Sequence, residues 1–245
     1  MADVEDVALP DHLHAVAVAA QVVVDLADPA HPAEAGRWWW PGQREDEEPG
    51  WPGGRRYAAH HALIAGERAY LGYDDAGMVM LDVADITRPR QVGHLSWQGG
   101  STHTCLPLPG RGLVVATDEQ VTDGPRAPRR AIRVIDVAGD SPAVIATCPH
   151  PAGFDDGPLR FGAHNLHENQ PGSYRSERVI FATYFSAGVR VYDLADQHHP
   201  VEVARWIPRP PRSATVPRTP RLRRSWRCST RCTALRSTWR PSWPA

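Results

Sequence analysis

ALIAGERAYLGYDDAGMVML, residues 62–81, decides the fold class. ALIA runs into a tight turn at Gly66, RAYLG follows, DDAG turns the chain again, and MVML leaves it. Short apolar, β-rich runs punctuated by Gly and Asp read as strands, and no 3.6-residue periodicity competes with that reading. Extended outward, MVMLDVADITRPRQVGHL (78–95) carries the third strand to Asp82, crosses a Pro-containing polar turn and starts a fourth. One unit is therefore four antiparallel strands.

The unit recurs. VVVDLADPAHPAEAGRW (22–38), IRVIDVAGDSPAVIATC (132–148) and VRVYDLADQHHPVEVARW (189–206) align with 78–95. Their anchoring aspartates, Asp25, Asp82, Asp136 and Asp193, stand 57, 54 and 57 residues apart. Each Asp ends a strand where its carboxylate can accept backbone N–H groups of the following turn, which gives these four acids a structural role. CLPLPGRGLVVAT (105–117) and RVIFATYFSAGVRVY (178–192) repeat the upstream strands. A period near 50 residues with four strands per unit is the signature of a propeller blade. The first unit is short: His14 precedes Asp25 by 11 residues, whereas His61 precedes Asp82 by 21.

MVMLDV, RVIDV and VRVYDL, followed by DP- or RP-type turns, resemble the LVIVD-repeat family of β-propeller proteins. HTCLPLPGRGLVVATDE (103–119) and FGAHNLHENQPGSYRSERVIFATYFSAGVRVYDL (161–194) are similar to a bacterial branch of it. The resemblance covers about residues 14–208 and implies an all-β propeller of LVIVD-like four-stranded blades; it carries no activity with it. Propellers have about 4–8 blades, so four units predict an incomplete ring whose open edge can pair with another chain.

Charge divides the chain at residue 208. All 27 basic residues are Arg; residues 1–208 hold all 28 acids against 17 Arg, and 209–245 hold 10 Arg and no acid. The first part reads as the propeller domain. The second, rich in Arg, Pro, Ser and Trp, fits a disordered basic extension, a nucleic-acid tail stacking Trp226, Trp239 and Trp243, or an out-of-frame translation of GC-rich DNA. The abrupt change after a regular strand favours the last, so no nucleic-acid partner is assigned. The acidic start MADVEDVALPDH lacks a signal-peptide n-region and HAVAVAAQVVVDL is too short to span a bilayer, which predicts a cytoplasmic protein without membrane attachment. Four scattered cysteines form neither a disulfide framework nor a zinc knuckle.

The histidines carry the chemistry. His61, His103 and His164 each open the first strand of a unit, with His14 a degraded fourth copy. First strands line a propeller's channel, so the three imidazoles are expected to converge as ligands of a divalent transition metal. His167 and Glu168 lie beside them as candidates for proton transfer. Asp118 and Glu119 are weaker candidates, Cys105 a possible soft ligand on the face of His103, and His60 is assigned to the opposite face. Repeated histidines can equally be kept because they bond backbone groups in every blade. Two functions stay open. One is a scaffold holding a small ligand or protein partner at the channel mouth; the other is a metal-dependent oxidoreductase or hydrolase. WWWP (38–41) opens an acidic insertion, REDEEPGWPGGRR (44–56), expected to be exposed and flexible. ENQPGSYRSER (168–178) is expected to lie over the channel mouth as a lid. No GxSxG elbow, P-loop or GxGxxG sits in the context its chemistry needs.

Overall fold

The computed structural model describes residues 20–208 apart from 45, 61, 99, 120–129, 140, 153–159 and 161. The expectations for His14, His61 and the tail 209–245 fall outside the described residues. Thirteen strands, grouped in four small antiparallel sheets, make this region all-β. β1 (Gln21–Asp25) pairs with β2 (Ala33–Trp38). β3 (Ala62–Ala65), β4 (Arg68–Gly72), β5 (Met78–Asp82) and β6 (Arg90–Leu95) form a second sheet in chain order. β7 (Thr102–Leu108), β8 (Leu113–Asp118), β9 (Ile132–Asp136) and β10 (Ala143–Thr147) form a third in the same way. β11 (Val179–Thr183), β12 (Val189–Asp193) and β13 (Val201–Trp206) form the fourth, to which Leu166 adds a bridge at Ala182. Among the described residues no helix is long and apolar enough to cross a membrane.

Burial explains why MVML and LVVAT read as unbroken apolar runs rather than alternating ones. Both faces of these middle strands are covered. On β5, Val79 and Leu81 meet Trp38, Leu71 and Tyr73, while Met78 and Met80 meet Cys105, Val114, Ala116 and Ile135 of the third sheet. On β8, Val114 and Ala116 face that layer, and Leu113 and Val115 face the other way, toward Ile180, Ala182, Tyr184 and Tyr192 of the fourth sheet. Each fully buried Val, Leu, Ile or Met among them contributes about 1.5–3 kcal/mol. The outermost strands are wetter: Val144 of β10 and Val201, Val203 and Trp206 of β13 are exposed.

The repeating aspartates close turns. Asp25 Oδ1 accepts the N–H of Ala27 at 2.8 Å, Asp82 that of Ala84 at 3.1 Å, Asp136 that of Ala138 at 2.9 Å and Asp193 that of Ala195 at 2.8 Å. Asp193 also takes a bidentate contact from Arg178 at 2.8 and 2.7 Å. Arg178 first, and the Ala195 N–H second, hold its carboxyl down at about 2. A depressed carboxyl stabilises the fold above its unfolded pKa and stops doing so as pH falls through the folded value. The urea midpoint is therefore expected to drop between pH about 4 and about 2. In Asp193→Asn the drop should be shallower; an identical profile would dissociate this turn from acid sensitivity.

The insertion after Trp38 departs from expectation. Its charges at Arg44, Asp46, Glu47 and Glu48 are exposed, but its aromatic flanks fold down onto the second sheet. Trp38 is buried, Trp40 packs edge-on against Tyr57 at 5.1 Å and His94 at 4.8 Å, and Trp51 stacks on Tyr57 at 5.1 Å. Buried Gln43 ties the segment down, accepting from Tyr73 Oη at 2.6 Å and donating to the Tyr57 carbonyl at 2.5 Å. Aromatic area, not the acidic composition, decides where this segment goes.

Candidate metal centre

The centre is built from the same local irregularity used three times. In the β3–β4 pair Ala62 faces Leu71, so regular pairing would set His61 opposite Gly72; instead the His60 N–H reaches the Gly72 carbonyl at 2.9 Å. In the β7–β8 pair, three steps from Thr102 to Cys105 are matched by two from Asp118 to Ala116, so His103 and Thr104 share Thr117. In the fourth sheet, Leu166 faces Ala182 and the Thr183 N–H donates to the Asn165 carbonyl at 2.9 Å, yet the His164 N–H also reaches the Thr183 carbonyl at 2.9 Å. The first strand of each of these sheets thus opens with one extra residue, a β-bulge, and a histidine stands at it each time.

The residue opposite each bulge suits its place. Thr117 Oγ1 accepts the Thr104 N–H at 3.1 Å and donates to the His164 carbonyl at 2.5 Å. Thr183 Oγ1 accepts the Asn165 N–H at 3.0 Å. Gly72 has no side chain because the His103 carbonyl stands where its Cβ would be. That close approach of β4 to β7 brings His60 against His103.

The three bulges place His60, His103 and His164 in a row. Ring centroids are 4.0 Å apart for His60–His103 and 4.4 Å for His103–His164. Two residues beyond the bulge partner, each sheet contributes another side chain at the same end: Asp74, Glu119 and Phe185. Asp74 and Phe185 adopt left-handed φ of 41° and 43°, a strained conformation for non-glycine residues that clusters at functional sites. Glu119 faces the whole row: Oε2 lies 3.9 Å from His60 Nε2 and Oε1 lies 3.7 Å from His164 Nε2. Asp74 Oδ1 is 3.5 Å from His60 Nε2. Its buried Oδ2 lies 3.1 Å from Arg56 Nε, an ion pair whose angle makes no hydrogen bond. Phe185 stacks on His164 at 4.6 Å, and the Arg160 guanidinium sits 4.8 Å over Phe185 and 4.0 Å from Glu119.

Among the described residues, ligand atoms of His60, His103 and Glu119 lie within 4.8 Å of one another, a span one cation can bridge. The donor chemistry fits: two imidazoles and a carboxylate suit zinc or iron and leave coordination positions open. His103 Nδ1 lies 3.1 Å from Thr104 Oγ1, whose hydroxyl points to Asn165 Oδ1 at 3.5 Å. With Nδ1–H donating to Thr104, the lone pair is on Nε2, the tautomer a ligand needs. Burial holds the pKa of His164 below the ordinary imidazole value, against the opposing pull of Glu119. A metal held through His103 would be bound about 10–100-fold more weakly in Thr104→Val, with Thr104→Ser restoring it. Equal affinity in all three proteins would remove Thr104 from the positioning of His103.

The structure brings His103 and His164 together, with His60 beside His103; the expectation for His61 lies outside the described residues. Strand alternation failed to assign His60 because the bulge shifts the face, and no sequence signal marks a bulge. Cys105, expected on the face of His103, is turned by the same bulge into the apolar layer with Met78, Met80 and Val114. There burial pushes its thiol far up, away from thiolate chemistry. Asp118 points inward, away from the histidine row: it accepts Trp97 Nε1 at 2.9 Å, Thr102 Oγ1 at 3.2 Å and the Arg133 guanidinium.

His167 and Glu168 lie apart from the row. His167 Nδ1 accepts the Phe181 N–H at 3.2 Å and Nε2 meets Asn169 Oδ1 at 2.9 Å, a structural placement on β11. Burial lowers its pKa. Glu168 and Asn169 make a left-handed turn at φ 62° and 53°. The 168–178 segment closes the hairpin at the strand ends opposite His164, so it does not cover the histidines. It lines a separate cleft of about 620 Å3 with Leu63, Ile64, Pro107 and Pro109. No protein-family model matches the chain, and no curated protein matches it significantly.

Proposed function

We propose that the four sheets are successive blades of an LVIVD-type propeller and that the chain is a metal-dependent enzyme with its centre at His60, His103 and Glu119. One observation carries this reading: three ligand atoms from two sheets converge within 4.8 Å, next to a further imidazole. A divalent transition metal held there supplies Lewis acidity and lowers the pKa of bound water. Glu119 and the two imidazoles would hold the cation, Thr104 would orient His103, and His164, beside them, would be placed to take a proton from a group on the open side. Hydrolysis and oxidation are both open to this ligand set.

The test is the metal content of the purified full chain after reconstitution with zinc, iron or manganese. About one metal per chain is expected, lost in His60→Ala and His103→Ala and retained in His61→Ala. Loss in His61→Ala with retention in His60→Ala would put the site in the other register. A folded protein that takes up no metal would overturn the proposal. It would leave a ligand-binding scaffold as the reading, which the cleft beside Ile64 supports.

A further inference from the structure

The cleft beside Ile64 lies away from the histidine row. The second and third sheets touch where Gly72 meets the His103 carbonyl. At the other end of the β3–β4 hairpin the cleft of about 620 Å3 is lined by Ile64 and Gly66 of the second sheet and by Pro107 and Pro109 of the third. Its remaining wall comes from the 168–178 segment, which is held in shape. Asn169 Oδ1 accepts the Ser176 N–H at 2.8 Å, and Asn169 Nδ2 donates to the Ser176 carbonyl at 3.1 Å. Glu177 Oε1 accepts the Gly110 N–H at 3.0 Å and the Glu177 carbonyl accepts from Arg111 at 3.0 Å, which ties this wall to the third sheet.

β3 is the outermost strand of its sheet, with β4 on one side only. A two-residue turn at Gly66, with φ 58°, and Glu67 makes Ala65 and Arg68 the closing hydrogen-bonded pair of the hairpin. Alternation then makes Leu63–Tyr70 the next such pair, and Ile64 points its N–H and carbonyl away from β4. Among the described residues no hydrogen bond reaches either group. The Ile64 side chain is 65 % exposed, although Leu63 beside it is buried. β7 borders the same cleft as the outermost strand of the third sheet, but Pro107 gives its free edge no N–H to offer there. A backbone entering the cleft therefore finds one matched donor and acceptor, on β3. The charges of the wall add direction. Glu177 is bonded to Gly110 and Glu168 has a partner of its own, whereas exposed Arg175 forms no ion pair among the described residues.

We infer that this cleft binds the carboxyl-terminal residues of an extended peptide, which adds to β3 at Ile64 and sets its terminal carboxylate on Arg175. Backbone pairing supplies the affinity, and apolar side chains of the peptide meet Ile64 and the prolines. The guanidinium fork selects a free carboxylate over a continuing chain. The site does not depend on the metal reading.

The probe is acetyl-Thr-Val-Thr-Val with a free carboxylate, titrated calorimetrically into the full chain beside its carboxyl-terminal amide. The free acid is expected to bind about tenfold or more tightly than the amide, the size of one charge-assisted contact. Successive N–H groups of an extended peptide point to opposite sides, so N-methylation at the first Val or at the second Thr should abolish binding in one case and spare it in the other. Ile64→Pro removes the outward N–H and keeps the bonds to β4, and it should lose the peptide. Arg175→Gln should bind acid and amide alike. If Ile64→Pro fails to fold by circular dichroism, the two N-methylated peptides decide alone. Absence of binding with a Kd below about 1 mM overturns the inference. So does binding that ignores both N-methylations or survives in Ile64→Pro, since the cleft would then take apolar groups without strand pairing. Equal affinity for acid and amide in the parent protein overturns the assignment of the peptide terminus to Arg175.

Discussion

Asp118→Ala is expected to lower the unfolding free energy by about 3–5 kcal/mol, the range for removing one partner of a buried ion pair. Asp118 is 1 % exposed and gathers three donors: the Trp97 indole, the Thr102 hydroxyl and the Arg133 guanidinium. Arg133 is itself mostly buried, and it lies 4.5 Å over the Trp97 ring. Removing the carboxylate leaves a cation and an indole N–H in the interior without their acceptor, and desolvation then outweighs the small loss of packing. Asp118→Asn keeps the shape and one acceptor oxygen but not the charge, so its loss should be smaller than that of Ala. Urea unfolding followed by tryptophan fluorescence measures both. A loss below about 1 kcal/mol in Asp118→Ala would mean that water reaches Arg133 and that the network is not buried.

Adjacent acids in ATDE thus do opposite work. Asp118, the last residue of β8, points into the protein; Glu119, one step later, faces the histidine row. Its N–H is fixed to the Ser101 carbonyl at 2.7 Å, so the orientation of the carboxylate follows from where the strand stops. The strands, their turns and the Asp-anchored repeat were legible in the sequence because each rests on local chemistry. Short apolar, β-rich runs, Gly and Pro turns and the Asx contact all act within a few residues. His103 and His164, expected near each other from their equivalent positions, have ring centroids 4.4 Å apart.

The register of the second copy was not legible. The place of His60 beside His103 depends on the offset at Gly72, where the His60 N–H meets the Gly72 carbonyl. A bulge is a property of two strands together, set here by how closely β4 approaches β7, and a one-residue shift exchanges the faces of every residue before it. The same shift removes Cys105 from the site. Asp74 and Phe185 escaped notice for a related reason. Their equivalence appears only when sheets are aligned on the bulges, because the loops between them differ in length. The fate of the tryptophan-flanked insertion depended on Gln43 meeting Tyr57 and Tyr73, contacts 14 and 30 residues away in the chain.

Gly72→Ala is expected to destabilise the fold by about 3 kcal/mol or more and to abolish metal uptake. A β-carbon at this position would overlap the carbonyl oxygen and carbon of His103 and crowd the Thr102 carbonyl, all backbone atoms that cannot rotate aside. Relief requires β4 and β7 to separate. That separation breaks two things at once: the apolar layer that Met78 and Met80 share with Cys105 and Val114, and the 4.0 Å contact of His60 with His103. Because the Gly72 carbonyl also accepts the His60 N–H, any movement of β4 carries one proposed ligand away from the other. Gly139→Ala, where nothing lies within 4 Å of the new methyl, should stay within about 0.5 kcal/mol of the parent and is the control for glycine loss in general. Thermal unfolding and metal content are measured on both variants. If Gly72→Ala is as stable as Gly139→Ala, the two sheets are not in backbone contact and His60 is not held against His103. If it is destabilised yet still binds metal at full stoichiometry, the contact holds the fold together and the metal ligands lie elsewhere in the histidine row.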